Sequence, residues 1–398
     1  MKYKLCDLKP VTPITQFNRS QFIGNKNKYD ISVISDIVGM SPTFIRKATG
    51  QSKQLSCTDI VHLLEQDAFS ETFIPRSKVY SYLSRLGTKT AQHHNKIGNQ
   101  EVTLLVGNTL ELINQLPDKF IDCLVTSTPY WGTRLYDVLH PVNWADEEVC
   151  PFGMEQTPES FIRHTTEILM RLKPVMKVHG SIWWNIMDSY NTRTQIRSNA
   201  VEALRAMQGH DKKSWSQHAC RRYSAGHSYL KDGEQCLIPM KIAERASRMG
   251  YYVKSVISWV KSGTTPEPQN SRVSRNVEYI LHLTLNRTPK FSKAAYKTTP
   301  AKLGGKNTKA ESDKLSDVWY MSTSSGQDGH GAQFPLSLPG RCIALSTKKG
   351  DIVLDPFVGS GTSAVAAKLL GRRFIGFEIN ENYVAIARKR LEKTGKDK

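Results

Sequence analysis

Several features are missing from this 398-residue chain, and each absence excludes a class of protein. No stretch approaches the roughly 18–20 uninterrupted apolar residues of a membrane-spanning helix. The opening Met1-Lys-Tyr-Lys-Leu-Cys-Asp7 carries charge with no apolar core behind it, so it does not read as a secretory signal. The seven cysteines stand singly and form no Cys-x-x-Cys pair, and their odd number suits a reducing, cytoplasmic setting better than a disulfide framework. His218, Cys220, His227 and Cys236 lie near one another, but their spacing matches no standard zinc pattern and no metal is expected there. There is no internal repeat. Acidic residues are also in deficit: 36 against 55 lysines and arginines, a formal net charge of +19. Such an excess favours a polyanionic partner, without separating DNA from RNA or an acidic membrane surface.

What is present divides into three regions. Residues 1–86 are helical in pattern and hold no catalytic signature. Residues 87–100 have the composition of a linker. From residue 101 to 398, strands and helices alternate, which predicts an α/β domain with a mostly parallel sheet and covering helices. Strands are expected over 102–106, 123–126, from 180, over 252–259, 351–355 and 373–378. Helices are expected over 160–172, 241–248 and 363–370. Two segments break the alternation, a basic stretch at 191–233 and a lysine-rich one at 287–330. Both are candidate DNA-recognition insertions, because long insertions in compact domains are usually functional.

Asp355-Pro-Phe357-Val-Gly359-Ser-Gly361-Thr362-Ser-Ala364 follows a strand and opens a helix. Gly359 and Gly361 permit a tight turn and a close approach to a ligand. Glu378 ends the next strand, where a carboxylate can accept hydrogen bonds from ribose hydroxyls. A glycine loop alone suits a dinucleotide equally. The preceding Asp355 disfavours a pyrophosphate and suits a cationic ligand such as S-adenosylmethionine, which carries a sulfonium and an ammonium group.

A second signature, Thr126-Ser127-Thr128-Pro129-Tyr130-Trp131, comes more than two hundred residues earlier, directly after a strand. An exocyclic base amine is a poor nucleophile because its lone pair is delocalised into the ring. Acceptors aimed at its two N–H bonds favour the pyramidal nitrogen needed for attack on a methyl carbon. The Ser127 hydroxyl and the backbone carbonyl of Thr128 can serve. Pro129 restricts the residue before it to extended geometry. Tyr130 offers a face for a base rotated out of the duplex.

Together these segments resemble the amino-group DNA methyltransferases of the circularly permuted β arrangement, in which the catalytic loop precedes the cofactor loop. The resemblance covers roughly residues 101–391. It implies a Rossmann-like methyltransferase sheet, S-adenosylmethionine as cofactor and double-stranded DNA as partner. It further implies a bacterial or phage modification setting, with or without a companion restriction endonuclease. A serine opening the catalytic loop is typical of cytosine-N4 members, whereas adenine-N6 members usually have Asp or Asn there. By the same resemblance Asn108 lies near the cofactor's adenine, where the family tends to have Asp, and Thr128 replaces the first of two usual prolines. Thr128 leaves open a catalytically weak DNA-binding regulator as an alternative of another class, and an RNA substrate lacks any recognisable supporting module.

In the N-terminal region Ile31–Val38, Gly39 and Ser41–Ala48 predict helix, turn, helix, with Ser41 as N-cap and Gly50 as stop. Further helices are expected over 58–66 and 75–85. The outline suits a helix-turn-helix or a small bundle supporting the catalytic domain.

Overall fold

The computed structural model describes residues 22–64 (25 and 39 apart), 101–132, 140–191 (146, 147 and 156 apart), 230–261 (232 apart), 270–323 and 334–394, with the pairs 195–196 and 221–222. The expected linker at 87–100, the helix at 75–85 and most of the basic segment at 191–233 lie outside these residues.

Eight strands form one sheet: β1 Val102–Val106, β2 Ile121–Ser127, β3 Met176–Ile186, β4 Tyr252–Val260, β5 Val277–Thr284, β6 Val318–Tyr320, β7 Ile352–Asp355 and β8 Arg373–Glu378. Their spatial order is β6-β4-β5-β3-β2-β7-β8-β1. Seven run in one direction, and β5 alone is reversed between β4 and β3. Strand β2 is buried until Ser127, as expected of a parallel strand covered on both faces.

The helices of this domain are α4 Thr109–Ile113, α5 Pro158–Leu172, α6 Ile238–Arg248, α7 Lys293–Thr298, α8 Ser337–Ser346, α9 Thr362–Leu369 and α10 Glu381–Lys393. The period of two along each strand separates the cores. Leu124, Ile182, Trp184 and Leu354 pack with the apolar sides of α5 and α6, while Val125, Trp183 and Val353 pack with α8 and α9.

Helix boundaries follow their caps. Helix α5 starts at Pro158, ahead of the expected Ser160, because Thr157 accepts the Ser160 N–H at 3.1 Å and proline suits the first turn. Helix α6 starts three residues before the expected Lys241. Its N-terminal N–H groups at Leu237 and Ile238 are satisfied from a distance by the Asp188 carboxylate, at 3.0 and 2.9 Å. That cap follows β3 and is invisible in the local sequence.

The segment 287–330 is the second candidate DNA-recognition insertion, and its described part is packed against the sheet. Val318–Tyr320 is the edge strand β6, with Trp319 buried, and Glu311 pairs with Arg341 at 2.6 Å, both nearly inaccessible. The lysines, most of which precede Glu311, give the segment its polar look in the sequence.

Upstream, α1 Ile31–Val38, α2 Pro42–Thr49 and α3 Cys57–Leu64 are joined by a ribbon pairing Lys28–Asp30 with Gln54–Ser56. The Ser41 side chain accepts the Phe44 N–H at 3.2 Å, and Gly50 closes α2 at φ 70°. Ile34, Val38, Ile45 and Ile60 are fully buried.

Candidate functional site

Adjacent strands β2 and β7 send the chain in opposite directions, from β2 to β3 on one side and from β7 to β8 on the other. In open α/β sheets, ligands sit outside the carboxyl ends of the strands at such a switch point. Ser127 ends β2 and Asp355 ends β7. A hydrogen bond from Thr126 Oγ1 to Asp355 Oδ1, 2.7 Å, ties the two motifs together.

Asp355 faces inward. Its Oδ1 also accepts the Phe357 N–H at 3.0 Å, and its Oδ2 accepts Ser363 Oγ–H. The carboxylate thus organises the loop and can influence a ligand mainly through its charge. Burial pushes its pKa up to about 6. Glu378 accepts the Gly359 N–H at 2.9 Å and the Asn380 N–H at 3.0 Å; burial, with Asp355 as a smaller contributor, raises its pKa too.

The other cofactor-loop candidates gather here. Gly361 has φ 88°, and a Cβ there would lie 2.8 Å from Ala387 Cβ, so its missing side chain admits α10 as well as the turn. Thr362 opens α9, and Arg390 fastens the loop through Ser360 O at 2.8 Å and Thr362 Oγ1 at 3.3 Å. The Phe357 ring lies against Phe152, centroids 5.4 Å apart, and edge-on to Trp184. Asn108 caps α4 through the Leu110 N–H at 2.9 Å. It stands beside Glu378, because Gly107 donates to Glu378 O at 2.9 Å.

Asp355 provides a pH test. Its acid is favoured in the folded state, so the associated stability is complete below the ordinary pKa near 3.8 and is lost as pH rises through about 6. Asp355→Asn can keep the bonds from Thr126 and Phe357 while donating to Ser363. Its stability relative to the parent is expected to rise by up to ~3 kcal/mol between pH 3.5 and 7. Denaturant titrations at both pH values check this, and a pH-independent difference contradicts it.

At the catalytic-loop candidates, a polar relay extends from Ser127. The register places Ser127 beside Asn185 on β3, and Asn185 opposite Ile280 on β5. Two residues along, on the same face, Glu278 completes the group. Asn185 Nδ2 approaches Tyr130 OH at 2.8 Å, Glu278 Oε2 at 2.9 Å and Ser127 Oγ at 3.3 Å. Tyr130 OH donates to Glu278 Oε2 and lies 3.2 Å from Ser127 Oγ. Lys261, after β4, donates to Glu278 Oε1 at 3.1 Å.

The carboxylate fixes the direction of this relay. It can only accept, so the Tyr130 O–H donates a hydrogen bond to it and Asn185 turns its amide nitrogen toward it. Tyr130 oxygen is then an acceptor for the Ser127 hydroxyl, leaving a Ser127 lone pair available. Pro129 packs under Gly153, where an added Cβ would come within 3.0 Å of it. Trp131 is fully buried and donates to Glu155 O at 3.2 Å, which anchors the loop behind Tyr130. Thr128 is also buried, and its hydroxyl has no partner among the described residues.

Sequence reasoning did not assign roles to Asn185, Glu278 or Lys261. The available signal was a polar residue within each of two apolar strand runs, Ser-Ile-Trp-Trp-Asn185 and Val-Glu278-Tyr-Ile-Leu. Of the cysteine and histidine group considered for metal, His218, Cys220 and His227 lie outside the described residues, and Cys236 is buried.

Comparison with known proteins agrees with this architecture. A family model described as DNA methylase, covering N6- and N4-directed enzymes, matches residues 121–389. Type II methyltransferase M.Cfr9I of Citrobacter freundii is 31% identical over 290 residues, spanning 73% of this chain and 87% of that protein. Type II methyltransferase M.SmaI of Serratia marcescens is 28% identical over 288 residues, 72% and 90% of the two chains. Among solved structures, the PvuII DNA methyltransferase (cytosine-N4-specific) superposes with a TM-score of 0.51 at 17% identity, covering 75% of this chain and 90% of that one. With the two motifs joined at the switch point and the family model spanning both, this chain belongs to the N6/N4 DNA methylase family.

Proposed function

We propose that this protein transfers a methyl group from S-adenosylmethionine to N4 of a cytosine in double-stranded DNA. The observation that carries the reading is Ser127, an acceptor at the switch point whose hydrogen-bond direction is imposed by Tyr130 and Glu278. A carboxamide or carboxylate there would be the usual adenine-N6 arrangement.

The donor chemistry fits the cofactor. Asp355 and Glu378 are carboxylates whose raised pKa values reflect burial, and a sulfonium and an ammonium group suit that environment. S-adenosylmethionine, when bound, supplies the electrophilic methyl carbon. In this reading Glu378 accepts from ribose hydroxyls, and Phe357 offers an aromatic surface. Ser127 Oγ and the Thr128 carbonyl accept the two amine N–H bonds of the target base. Tyr130, tethered through its hydroxyl, keeps its ring in place for stacking against a base rotated out of the helix.

Arg272 and Arg275 lie over the Tyr190 ring at 4.1 and 4.9 Å, adding positive charge beyond β3. These, the basic segment at 191–233 and the lysines of 287–323 are the proposed DNA-facing groups. Similarity to Type II methyltransferases favours a modification role beside a restriction endonuclease.

Nucleoside mass spectrometry of DNA from cells expressing the chain is expected to show N4-methylcytosine. N6-methyladenine would reassign the substrate, and neither product would favour a non-catalytic DNA-binding role. DNA affinity should fall with salt at a log–log slope near −5, for about six neutralised phosphates.

A further inference from the structure

We propose that Glu148, Cys150 and His164 form a zinc-type metal site beneath the catalytic loop, with Glu155 orienting the histidine. The ligand atoms of the first three all lie within 4.8 Å of one another. A short hairpin pairs Val142–Asn143 with Val149–Cys150. Glu148 and Cys150, two residues apart at its end, address one side, and His164 comes from α5.

His164 is held for ligation. It is 1% exposed, and its ring stacks on Trp144 with centroids 4.1 Å apart and planes 5° from parallel. Its Nδ1 lies 3.0 Å from Glu155 Oε1, within a fully buried carboxylate. That contact places the Nδ1 proton toward Glu155 and turns the Nε2 lone pair toward Glu148, whose Oε2 is 3.8 Å away. A carboxylate bonded to the far nitrogen of a ligating histidine is the usual support of a zinc site.

The hairpin is fixed by the same tryptophan, through Trp144 N–H to Glu148 O and Nε1–H to Cys150 O, both 3.1 Å. Zinc takes thiolate, imidazole and carboxylate at about 2.0–2.3 Å in a tetrahedron, which puts neighbouring ligand atoms roughly 3.3–3.8 Å apart. The observed separations, all within 4.8 Å, require a contraction of up to about 1.5 Å.

The site bears on the catalytic loop through the chain that follows it. Gly153 O accepts the Gly132 N–H at 2.9 Å, and Glu155 O accepts the Trp131 indole N–H. A metal holding Cys150 and His164 together thus clamps the segment on which Pro129 and Trp131 rest.

The full chain, purified without chelator, is expected to carry about one zinc by elemental mass spectrometry, with Cys150→Ser and His164→Gln each falling below about a tenth of that. In the unaltered protein, added zinc chloride should slow iodoacetamide alkylation of Cys150 by about tenfold or more, and chelator should restore it, as mapped on its peptide. This readout does not depend on a variant folding. Zinc content unchanged in both variants, or alkylation of Cys150 indifferent to zinc, overturns the site.

Discussion

Ser127→Ala is expected to lower the single-turnover rate of methyl transfer by about 100-fold or more, with cofactor affinity within about twofold of the parent. Ser127 stands at the end of β2, where among the described residues its Oγ hydrogen-bonds to groups of the relay: Tyr130 OH at 3.2 Å and Asn185 Nδ2 at 3.3 Å. Removing it deletes no apolar packing, and the groups left behind retain Glu278 as partner. The fold should therefore survive while the acceptor for the reacting amine is lost. Thr128→Val is the internal control. Its hydroxyl is buried with no partner among the described residues, a condition that costs about 1–3 kcal/mol, so valine should be neutral or stabilising. The backbone carbonyl of residue 128 is kept. Rapid-quench measurements with saturating DNA and cofactor decide the matter. A Ser127→Ala enzyme as fast as its parent, or a Thr128→Val enzyme as slow as Ser127→Ala, contradicts this account of the loop.

The second large effect is expected at Glu278, where fold and chemistry can be separated. Its carboxylate meets Lys261, whose side chain is 12% exposed, and also receives Tyr130 and Asn185. Glu278→Ala strands a nearly buried ammonium and should cost about 3–5 kcal/mol of stability. Glu278→Gln preserves the volume but offers only one acceptor atom, and its amide protons oppose the incoming donors. The direction of the relay is then no longer dictated, and the methyl-transfer rate should drop by about tenfold or more, the worth of a hydrogen bond to a charged group. Cofactor binding, proposed for the loops after β7 and β8, should hardly change. Calorimetry with S-adenosylmethionine beside single-turnover rates tests the split. Equal losses in both would make Glu278 a general support of the fold, and no loss in rate would remove it from the relay.

Local structure was largely legible in the amino-acid order, because it depends on neighbours in the chain. Val102–Val106 and Arg373–Glu378 are strands over the expected residues, and Ser41, Pro42 and Gly50 bound their helix as capping chemistry requires. The two motifs were also visible, since each follows a strand and carries its own turn residues. Helix α6 marks where this reasoning stops: its early start depends on Asp188, about fifty residues away, rather than on any residue beside it. Similarly, the lysines of 287–330 mark a candidate insertion in the sequence, whereas one buried tryptophan and one buried arginine–glutamate pair tie its described part to the sheet.

Only the tertiary structure decided how the motif residues divide their work. Asp355 looked like a charge presented to a ligand; three donors from Thr126, Phe357 and Ser363 turn it inward, because a carboxylate buried at a strand end must have its lone pairs satisfied. Asn185 and Glu278 are single polar residues in apolar runs, and their meaning depends on the registers that set β3 beside β2 and β5 beside β3. Hydrogen-bond direction is a property of the assembled group, since each donor is assigned by what its neighbour can accept. The sequence by itself therefore determined which chemistry was available and which short segments carry it. The order of strands in the sheet determined that Ser127 and Asp355 share one crevice, because adjacent strands whose connections run to opposite sides leave a gap that side chains from distant parts of the chain can fill.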